Sequence, residues 1–474
     1  MGKTDQPRGR ILGLLFLGVL MGALDIAIVG PALPAIRSTF GVDARAVAWV
    51  LSLFLICDLI GTPLLAALSD LRGRRSIYVL SISLFALGSL VVALSPNFEV
   101  LLLGRAMQGF GAGGIFPVAS AVIGDLFPVE RRGRALGLIG AVFGVAFLIG
   151  PVLGGVLLHF GWPLLFLVNL PLAVVLIVGS LRLLPAQRAE RVRSIDVPGV
   201  ILLSAMVFAL AFGLNRLDAA DLVGSLASPL AWPFLTAGLV LMPLFWRREQ
   251  RAPSPLLHPD FLRRRQVKLA CALALGAGLT EATVVFAPAL LVSTFGVSVE
   301  RAAYMLLPIV LAMAVGAPLA GRMLDRVGSR AVILTGTLLI GCGLLLVGVI
   351  GETVAGFYVA GVVIGFGLAS LVGSSLRYVI LNEAPADARG VTQGVLTIFT
   401  SVGQLVGAAL VGALVASHGG GPSGYVLAFD VVGVVLLALC GAALGLKSRP
   451  QERAAASRTT RPVAAPSLSV AAKE

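Results

Sequence analysis

Charged side chains are scarce in this sequence. Asp, Glu, Lys and Arg make up 12% of its 474 residues, whereas apolar residues make up 58%. Soluble domains carry about 25% charged and roughly 45–50% apolar residues. No soluble core needs so much apolar surface, so the composition excludes an ordinary soluble enzyme or binding domain. It indicates a chain that lies in a lipid bilayer.

Cysteine and histidine are scarce as well, with four and three residues. The cysteines lie in four different apolar segments, so their spacing fits neither a disulfide framework nor a metal site. The histidines lie in loops or near segment ends, which argues against a catalytic enzyme. The phosphate-binding pattern G-x-x-x-x-G-K-[ST] does not occur, which excludes an ATP-driven pump. We therefore expect no metal, no cofactor and no enzymatic activity.

Long apolar runs are abundant. We count fourteen, most of them close to the ~20 residues that a helix needs to cross a bilayer. They cover about 11–30, 47–68, 77–95, 99–121, 136–158, 163–181, 197–214, 229–246, 269–291, 302–321, 331–350, 353–376, 391–415 and 424–446. The first is longer than the apolar part of a signal peptide and carries Asp25, so we expect it to be retained. The sequence predicts an all-α membrane protein with fourteen transmembrane helices.

Basic residues are distributed unevenly around these segments. If the N-terminus is cytoplasmic, 30 of the 36 Lys and Arg residues fall on the cytoplasmic side and only four on the other side. Cytoplasmic loops carry such an excess of Lys and Arg. Both termini are therefore predicted to be cytoplasmic, with the chain in the cell (inner or plasma) membrane. The net charge of +13 is then explained by topology, and we expect lipid but no nucleic acid as a partner.

A short turn between two apolar segments occurs twice. Residues 66–75 read A-A-L-S-D-L-R-G-R-R and residues 321–330 read G-R-M-L-D-R-V-G-S-R. The matching residues, 255 positions apart, are Asp70 and Asp325, Gly73 and Gly328, and Arg75 and Arg330. Internal repeats of this kind are typical of secondary transporters, and they predict two related membrane halves.

The repeat sets the domain boundaries that we predict. The sequence divides into an N-terminal six-helix bundle (1–181), a linker with two extra transmembrane helices (182–268), a C-terminal six-helix bundle (269–446) and a disordered cytoplasmic tail (447–474). Such a chain is expected to work as a monomer.

The Asp70 turn combines an acid with Arg72, Arg74 and Arg75. Basic residues at this position contribute to topology in any case. An Asp at the C-terminal end of a helix is disfavoured by the helix dipole. Asp70 should therefore need a partner, such as an Arg or the N-terminus of a neighbouring helix.

Four charged residues lie deep within apolar segments. Arg105 is several residues inside the fourth segment, where a charge costs roughly 2.5–3.5 kcal/mol and normally marks a functional pair. Asp25 lies at a similar depth, in the outer part of the membrane, so the two can pair. Asp58 and Glu281 lie nearer the middle, on different halves. Any one acid fits a neutral or ion-paired carboxyl, but three inert acids are not expected, so we predict that they bind protons or cationic substrates.

Several of these strings resemble the major facilitator superfamily. The Asp70 turn resembles its loop signature G-x-L-x-D-R-x-G-R-R/K, with Ala66 and Leu71 as departures. Residues 101–114, L-L-L-G-R-A-M-Q-G-F-G-A-G-G, resemble the motif whose Arg is linked to proton transfer. The G-P-x-x-G-G string in the fifth segment resembles the antiporter motif of exporters; its residues are Gly150, Pro151, Gly154 and Gly155.

Two further strings resemble the fourteen-span drug:proton antiporters of that superfamily. These are residues 21–36, where Ala27 and Gly30 replace Thr and Asn of the pattern, and residues 161–171. The resemblance implies that Arg105 tunes Asp25. It also implies a cytoplasmic gate that locks the two halves together, in which Asp125 pairs with the Arg of the loop. The gate residues carried over are Asp70, Arg72, Arg74, Arg75, Asp125, Asp325 and Arg330.

The function that this resemblance implies is proton-coupled export of small amphipathic or cationic drugs by alternating access, which is multidrug efflux of the kind that causes antibiotic resistance. The alternatives are an exporter of one specific metabolite, a Na⁺-coupled variant, and a proton-coupled importer. The antiporter motif and residues 101–114 argue against the importer.

Overall fold

A computed structural model describes residues 6–42, 44–186, 196–216, 224, 228–252, 259–384, 389–419 and 421–452. All regular secondary structure within these ranges is helical. We call residues 6–183 the N-terminal half, residues 197–251 the helix pair, and residues 259–452 the C-terminal half.

The N-terminal half and the helix pair contain nine helices in the described ranges. They are α1 (Gln6–Phe40), α2 (Ala44–Arg72), α3 (Arg74–Ala93), α4 (Phe98–Leu126), α5 (Val129–Leu158), α6 (Leu164–Leu167), α7 (Asn169–Leu183), α8 (Val197–Asn215) and α9 (Trp232–Arg251).

The C-terminal half repeats this arrangement with more interrupted helices. They are α10 (Pro259–Arg263), α11 (Arg265–Val285), α12 (Ala287–Phe295), α13 (Val299–Met305), α14 (Leu307–Val327), α15 (Ser329–Ile350), α16 (Val354–Leu368), a π-helical turn (Ala369–Gly373), α17 (Ser375–Glu383), α18 (Arg389–Ser417) and α19 (Pro422–Leu444).

Eleven helical stretches in the described residues are long and apolar enough to cross a membrane. Large apolar side chains cover much of their outer surface; Val349, for example, is 77% exposed and Val174 60%. Such surface suits contact with lipid. The predicted all-α membrane fold is confirmed, but the count of fourteen spans is not. The three predicted spans that are missing from the eleven correspond to α5, α8 and α9, which are helices in the structure.

Both copies of the repeated turn have the same backbone geometry. Gly73 and Gly328 have φ values of 96° and 88° and immediately precede α3 and α15. A side chain at either position would be strained, because only glycine adopts positive φ at little cost. The glycine of the repeat is thus required by the reversal of chain direction between two antiparallel helices.

Close packing between the halves depends on small residues in α5. A Cβ atom on Gly137 would lie 2.7 Å from Ala317 O and from Gly321 Cα of α14, and one on Gly144 would lie 2.8 Å from Ala314. Neighbouring membrane helices that carry such residues can approach backbone to backbone. These contacts hold α5 of one half against α14 of the other.

The helix pair is tied at one end by an ion pair. Arg248 of α9 donates to both carboxylate oxygens of Asp196, which precedes α8, at 2.5 to 3.1 Å. Hydrogen bonding to Arg248 holds the pKa of Asp196 below its usual range. The pair packs on α2, where the rings of Trp49 and Phe212 lie 5.8 Å apart.

The first residues of the predicted tail, which begins at Lys447, contact the C-terminal half. Lys447 pairs with Glu383, and residues 449–452 form a helical turn. Residues 453–474 lie outside the described residues.

Candidate functional site

Asp25 of α1 and Arg105 of α4 form the contact expected from their depths. Arg105 Nη1 lies 2.6 Å from Asp25 Oδ2, and neither side chain is exposed to solvent. Isolating either charge at this position would be costly, because a buried charge without a partner is strongly destabilising. The pair lies entirely within the N-terminal half.

A polar network that the sequence analysis missed surrounds this ion pair. Gln108 donates to Asp25 Oδ1 at 3.2 Å and to Ser89 at 2.7 Å, and accepts from Arg105 at 2.9 Å. Asn169 of α7 donates to Asp25 Oδ1 at 3.4 Å and to Ser89 at 3.3 Å. Gln108 lies one helical turn after Arg105, and this spacing could have predicted that it joins the network. Nothing in the sequence indicated that Asn169 reaches the pair.

Arg105 has further partners that hold its orientation. Its Nε donates to the Val50 carbonyl at 2.9 Å, and its guanidinium lies 4.3 Å from the centroid of the Phe54 ring. Its Nη2, although buried, has no hydrogen-bond partner. Asp25 is the one acid that forms an ion pair with Arg105 within the described residues.

Asp58 and Glu281 are not in contact with each other. Asp58 of α2 is half-buried and makes no hydrogen bond or ion pair with the described part of the chain. Glu281 of α11 accepts a hydrogen bond of 2.5 Å from Gln404 of α18. The two acids therefore occupy separate surroundings, one in each half.

A further intramembrane charge, Arg377, was not predicted as a site residue. It lies on α17, directly after the π-helical turn, a kind of irregularity that often accompanies functional sites. Its guanidinium carbon lies 3.8 Å from the centroid of Phe116 in the N-terminal half. It is also close enough to Glu281 for the two charges to interact. Arg377 therefore contacts both halves.

The Asp70 turn contacts the C-terminal half at one end of the molecule, which we call the gate end. Asp70 Oδ1 accepts from the backbone N–H of Gly390, at the start of α18, at 3.0 Å. Arg74 forms ion pairs with Asp70 and, at 3.0 Å, with Asp125. The partner that Asp70 needed is thus both an Arg and the N-terminus of a helix, where backbone N–H groups and the dipole favour an anion.

Asp325 makes the corresponding contact in the opposite direction. Its carboxylate accepts from the backbone N–H groups of Gly133 and Arg134, near the start of α5, at 2.9 Å each. Gly133 and Gly390 both follow an Arg and lie 257 positions apart. Each half thus places an Asp near the N-terminal end of a helix of the other half.

Two arginines extend this pseudo-symmetric contact. Arg389 of α18 pairs with Asp125 at 2.7 Å, and Arg132 of α5 donates to Asn382 at 2.9 Å. The arginines are 257 positions apart, as are Asp125 and Asn382. The Arg389–Asp125 contact is an ion pair, whereas Arg132 donates to a neutral amide. The gate end is therefore electrostatically asymmetric. Sequence analysis identified Asp125 but missed Arg389, Arg132 and Asn382.

The remaining predicted gate residues make fewer contacts. Arg75 donates to the Leu181 carbonyl at 3.3 Å, within its own half. Arg72 is exposed and Arg330 half-buried, and neither makes a hydrogen bond or ion pair with the described residues. The structure therefore does not bring these three arginines to the contact between the halves.

The antiporter-motif residues lie near the far end of α5. A Cβ on Gly150 would lie 2.4 Å from Ala27 of α1, so this glycine packs within its own half. Gly154 is buried, and Gly155 has no atom within 4 Å of a built Cβ. The side chain of Pro151 lies outside the described residues. The α5 glycines that touch the other half come earlier in the helix.

Helices that cross a membrane, a buried intramembrane ion pair and a two-way contact between repeated halves define a multi-pass membrane transporter. A model of the Major Facilitator Superfamily matches residues 15–316 and 269–473. The chain belongs to that superfamily. This confirms the superfamily prediction, whereas membership of the fourteen-span drug:proton antiporters stays a prediction.

Several known transporters are similar to this chain. The tetracenomycin C resistance and export protein of Streptomyces glaucescens is 31% identical over 425 residues, covering 88% of this chain and 78% of that protein. YfiU, an uncharacterized MFS-type transporter of Bacillus subtilis, is 34% identical over 409 residues, covering 84% and 78%. Multidrug resistance protein Stp of Mycobacterium tuberculosis is 29% identical over 415 residues, covering 85% and 74%.

A solved structure has the same fold. The crystal structure of the human organic anion transporter MFSD10 matches with a TM-score of 0.69, covering 93% of this chain and 100% of that chain. At 20% identity, the likeness is one of fold alone.

Proposed function

We propose that this chain is a proton-coupled antiporter that exports small amphipathic or cationic compounds. The observation that carries the proposal is the buried Asp25–Arg105 ion pair, at 2.6 Å and with no solvent exposure. An intramembrane acid that is held by a single cation is suited to carry a proton, because protonation removes the attraction that fixes it. Two relatives whose names include drug resistance or export support the substrate class and the direction.

The proposed cycle uses the gate end as the second element. In the described arrangement, Asp70 and Asp325 tie the halves together there. Substrate would bind between the halves near the middle of the membrane, as in other secondary transporters. Proton uptake at Asp25 would release Arg105 and shift α1 against α4. Opening of the gate end would then require the contacts of both Asp residues to break together.

The topology that we propose places the gate end and both termini in the cytoplasm of a bacterial cell whose plasma membrane holds the protein. The excess of Lys and Arg on that side supports this orientation. We propose fourteen spans, with α5, α8 and α9 added to the eleven apolar stretches, and a monomer as the working unit. Asp58 and Glu281 would then recognise cationic substrates, one from each half.

Transport by the purified full-length protein in liposomes tests the coupling. We expect a pH gradient alone to drive movement of a cationic dye, and Asp25→Asn to reduce this rate at least tenfold. Asp430→Asn is the matched control, because Asp430 is another acid within a membrane helix, α19, but lies outside the ion-pair network. Its transport should stay within about twofold of the unchanged protein.

Three results would contradict the proposal. Transport that ignores the pH gradient but follows a Na⁺ gradient would exclude proton coupling. Full pH-driven transport by Asp25→Asn would exclude Asp25 as the coupling acid. Accumulation of dye in the direction of the proton flow would identify an importer.

A further inference from the structure

Arg377 is a cation at the contact between the halves, and its side chain makes no hydrogen bond with the described residues. Its Nη1 is buried and has no hydrogen-bond partner, and the side chain forms no ion pair within the described residues. Its guanidinium faces the Phe116 ring at 3.8 Å. A guanidinium in a membrane helix is costly and normally marks a function. A role in structure alone would be expected to satisfy its N–H groups.

Other polar atoms beside Arg377 are unused as well. Ser374, one helical turn before it, has a buried Oγ without a partner. Gln393 of α18 donates to the Arg377 backbone carbonyl at 3.1 Å, but its own Oε1 is buried and unpartnered. Native proteins leave few buried polar atoms without partners. Three such side chains on adjoining helices indicate that a polar ligand completes this site.

An acid and an aromatic ring complete the surroundings. Glu281 of α11 is held by Gln404 and lies close enough to Arg377 for their charges to interact. Phe116 belongs to the opposite half and is itself packed edge-on against Phe143, with centroids 5.5 Å apart. The site therefore offers one cation, one anion and one aromatic face.

We propose that Arg377 binds a carboxylate of the transported molecule, so that the substrates include zwitterionic aromatic amphiphiles. The inference rests on the proposed export function and specifies its substrate class. The planar guanidinium matches a carboxylate with two parallel hydrogen bonds. The positively charged group of the same molecule faces Glu281, and its aromatic body lies on Phe116. A purely cationic substrate uses Glu281 alone and gains nothing from Arg377.

A pair of dyes that differ at one group tests this inference. A carboxyl rhodamine is a zwitterion, and its methyl ester is a cation of almost the same shape. Binding of each dye to the purified full-length protein is measured by fluorescence anisotropy. We expect Arg377→Gln to weaken binding of the carboxyl dye at least tenfold and to leave the ester within about twofold. Arg377→Lys keeps the charge but not the planar pair of donors, and should lose less.

Two controls keep the result interpretable. Arg301→Gln removes an Arg from the surface near the start of α13, and should leave both dyes unaffected. Binding of the ester reports whether Arg377→Gln is folded, because that dye does not need Arg377.

Each outcome decides one question. If the unchanged protein does not bind the carboxyl dye, or if Arg377→Gln affects both dyes equally or neither, the carboxylate site does not exist. Gradient-driven transport of the ester in liposomes separately tests the proposed export function. Arg377-dependent binding without any gradient-driven transport would overturn that function and leave the carboxylate site standing.

Discussion

At the scale of single residues, the main feature of this transporter is that its intramembrane charges differ in whether they have an ion-pair partner. Asp25 and Arg105 form an ion pair that is surrounded by amides, whereas Arg377 forms no ion pair with the described residues and its buried Nη1 has no hydrogen-bond partner. A charge with an ion-pair partner is suited to a two-state switch, because changing one charge disturbs the other. A cation without an ion-pair partner is suited to ligand binding, because the ligand can supply the counter-charge.

Gln108 gives a prediction at this scale. It is fully buried and bridges Asp25, Arg105 and Ser89. Gln108→Met keeps the volume but removes both the donor and the acceptor, leaving buried partners unsatisfied at about 1–3 kcal/mol. We expect a lower midpoint of thermal unfolding in detergent. Leu103→Met is the control, because it introduces the same side chain at a position of the same helix that is 58% exposed; a similar loss there would contradict the role of the network.

At the scale of helices and turns, the two copies of the repeat reach the same geometry by different residues. Arg74 steadies the Asp70 turn, but the corresponding residue in the second copy is Ser329. Arg449, beyond the last membrane helix, donates to the Asp325 carbonyl at 2.6 Å and to the Tyr378 hydroxyl at 3.0 Å. Glu452 accepts from the backbone N–H of Ser329 at 3.1 Å. The chain after α19 thus supplies an arginine that the second copy of the repeat lacks.

Truncation tests this replacement. A chain that ends at Leu446 should expose the backbone of residues 325–329 to faster amide hydrogen exchange, because the carbonyl and N–H groups at the two helix ends lose their partners. A chain that ends at Glu452 keeps those contacts and serves as the matched control. Equal exchange in the two truncated proteins would mean that residues 447–452 do not steady the turn.

The helix pair gives a prediction about pH. Arg248 lowers the pKa of Asp196, so the ion pair contributes stability above the ordinary Asp pKa of about 3.9. That contribution is lost as the pH falls through the lowered pKa of the folded protein. As the pH falls below about 4, amide exchange at the start of α8 should therefore become faster relative to the rest of the chain. In Asp196→Asn, the amides at the start of α8 should exchange rapidly at every pH. If these amides exchange at the same rate in the variant and in the unchanged protein at every pH, the assignment is wrong.

At the scale of the whole molecule, α5 and α14 form the seam between the halves. Gly137 lies so close to α14 that an added methyl group must displace backbone rather than a flexible side chain. Overpacking of this kind costs about 1–3 kcal/mol. We expect Gly137→Ala to lower the unfolding midpoint and to slow transport. Gly13→Ala in α1 meets no atom within 4 Å and should gain slightly from helix propensity. Unchanged stability of Gly137→Ala would mean that the seam is loosely packed.

The sequence by itself determined the membrane environment, the two related halves and most of the charged residues that matter. Whether a helix lies in lipid or in water determines its composition and length. Both are local properties, so the membrane environment can be predicted from the sequence. The repeat can be recognised in the sequence because Asp70 and Asp325 are separated from matching glycines by the same number of residues. Depth along the helices also showed that Asp25 and Arg105 can pair, because depth is fixed by position along a helix.

Only the tertiary structure decided which side chains meet across the chain. Asn169, Arg389 and Arg449 reach their partners through the rotation of helices and the approach of the two halves, and neither can be read from spacing. For the same reason, the sequence placed Arg72, Arg75 and Arg330 in the gate although they do not reach the contact between the halves. Which face of a helix meets another half is set by packing of the whole molecule, because uniformly apolar helices carry little periodic signal about their orientation.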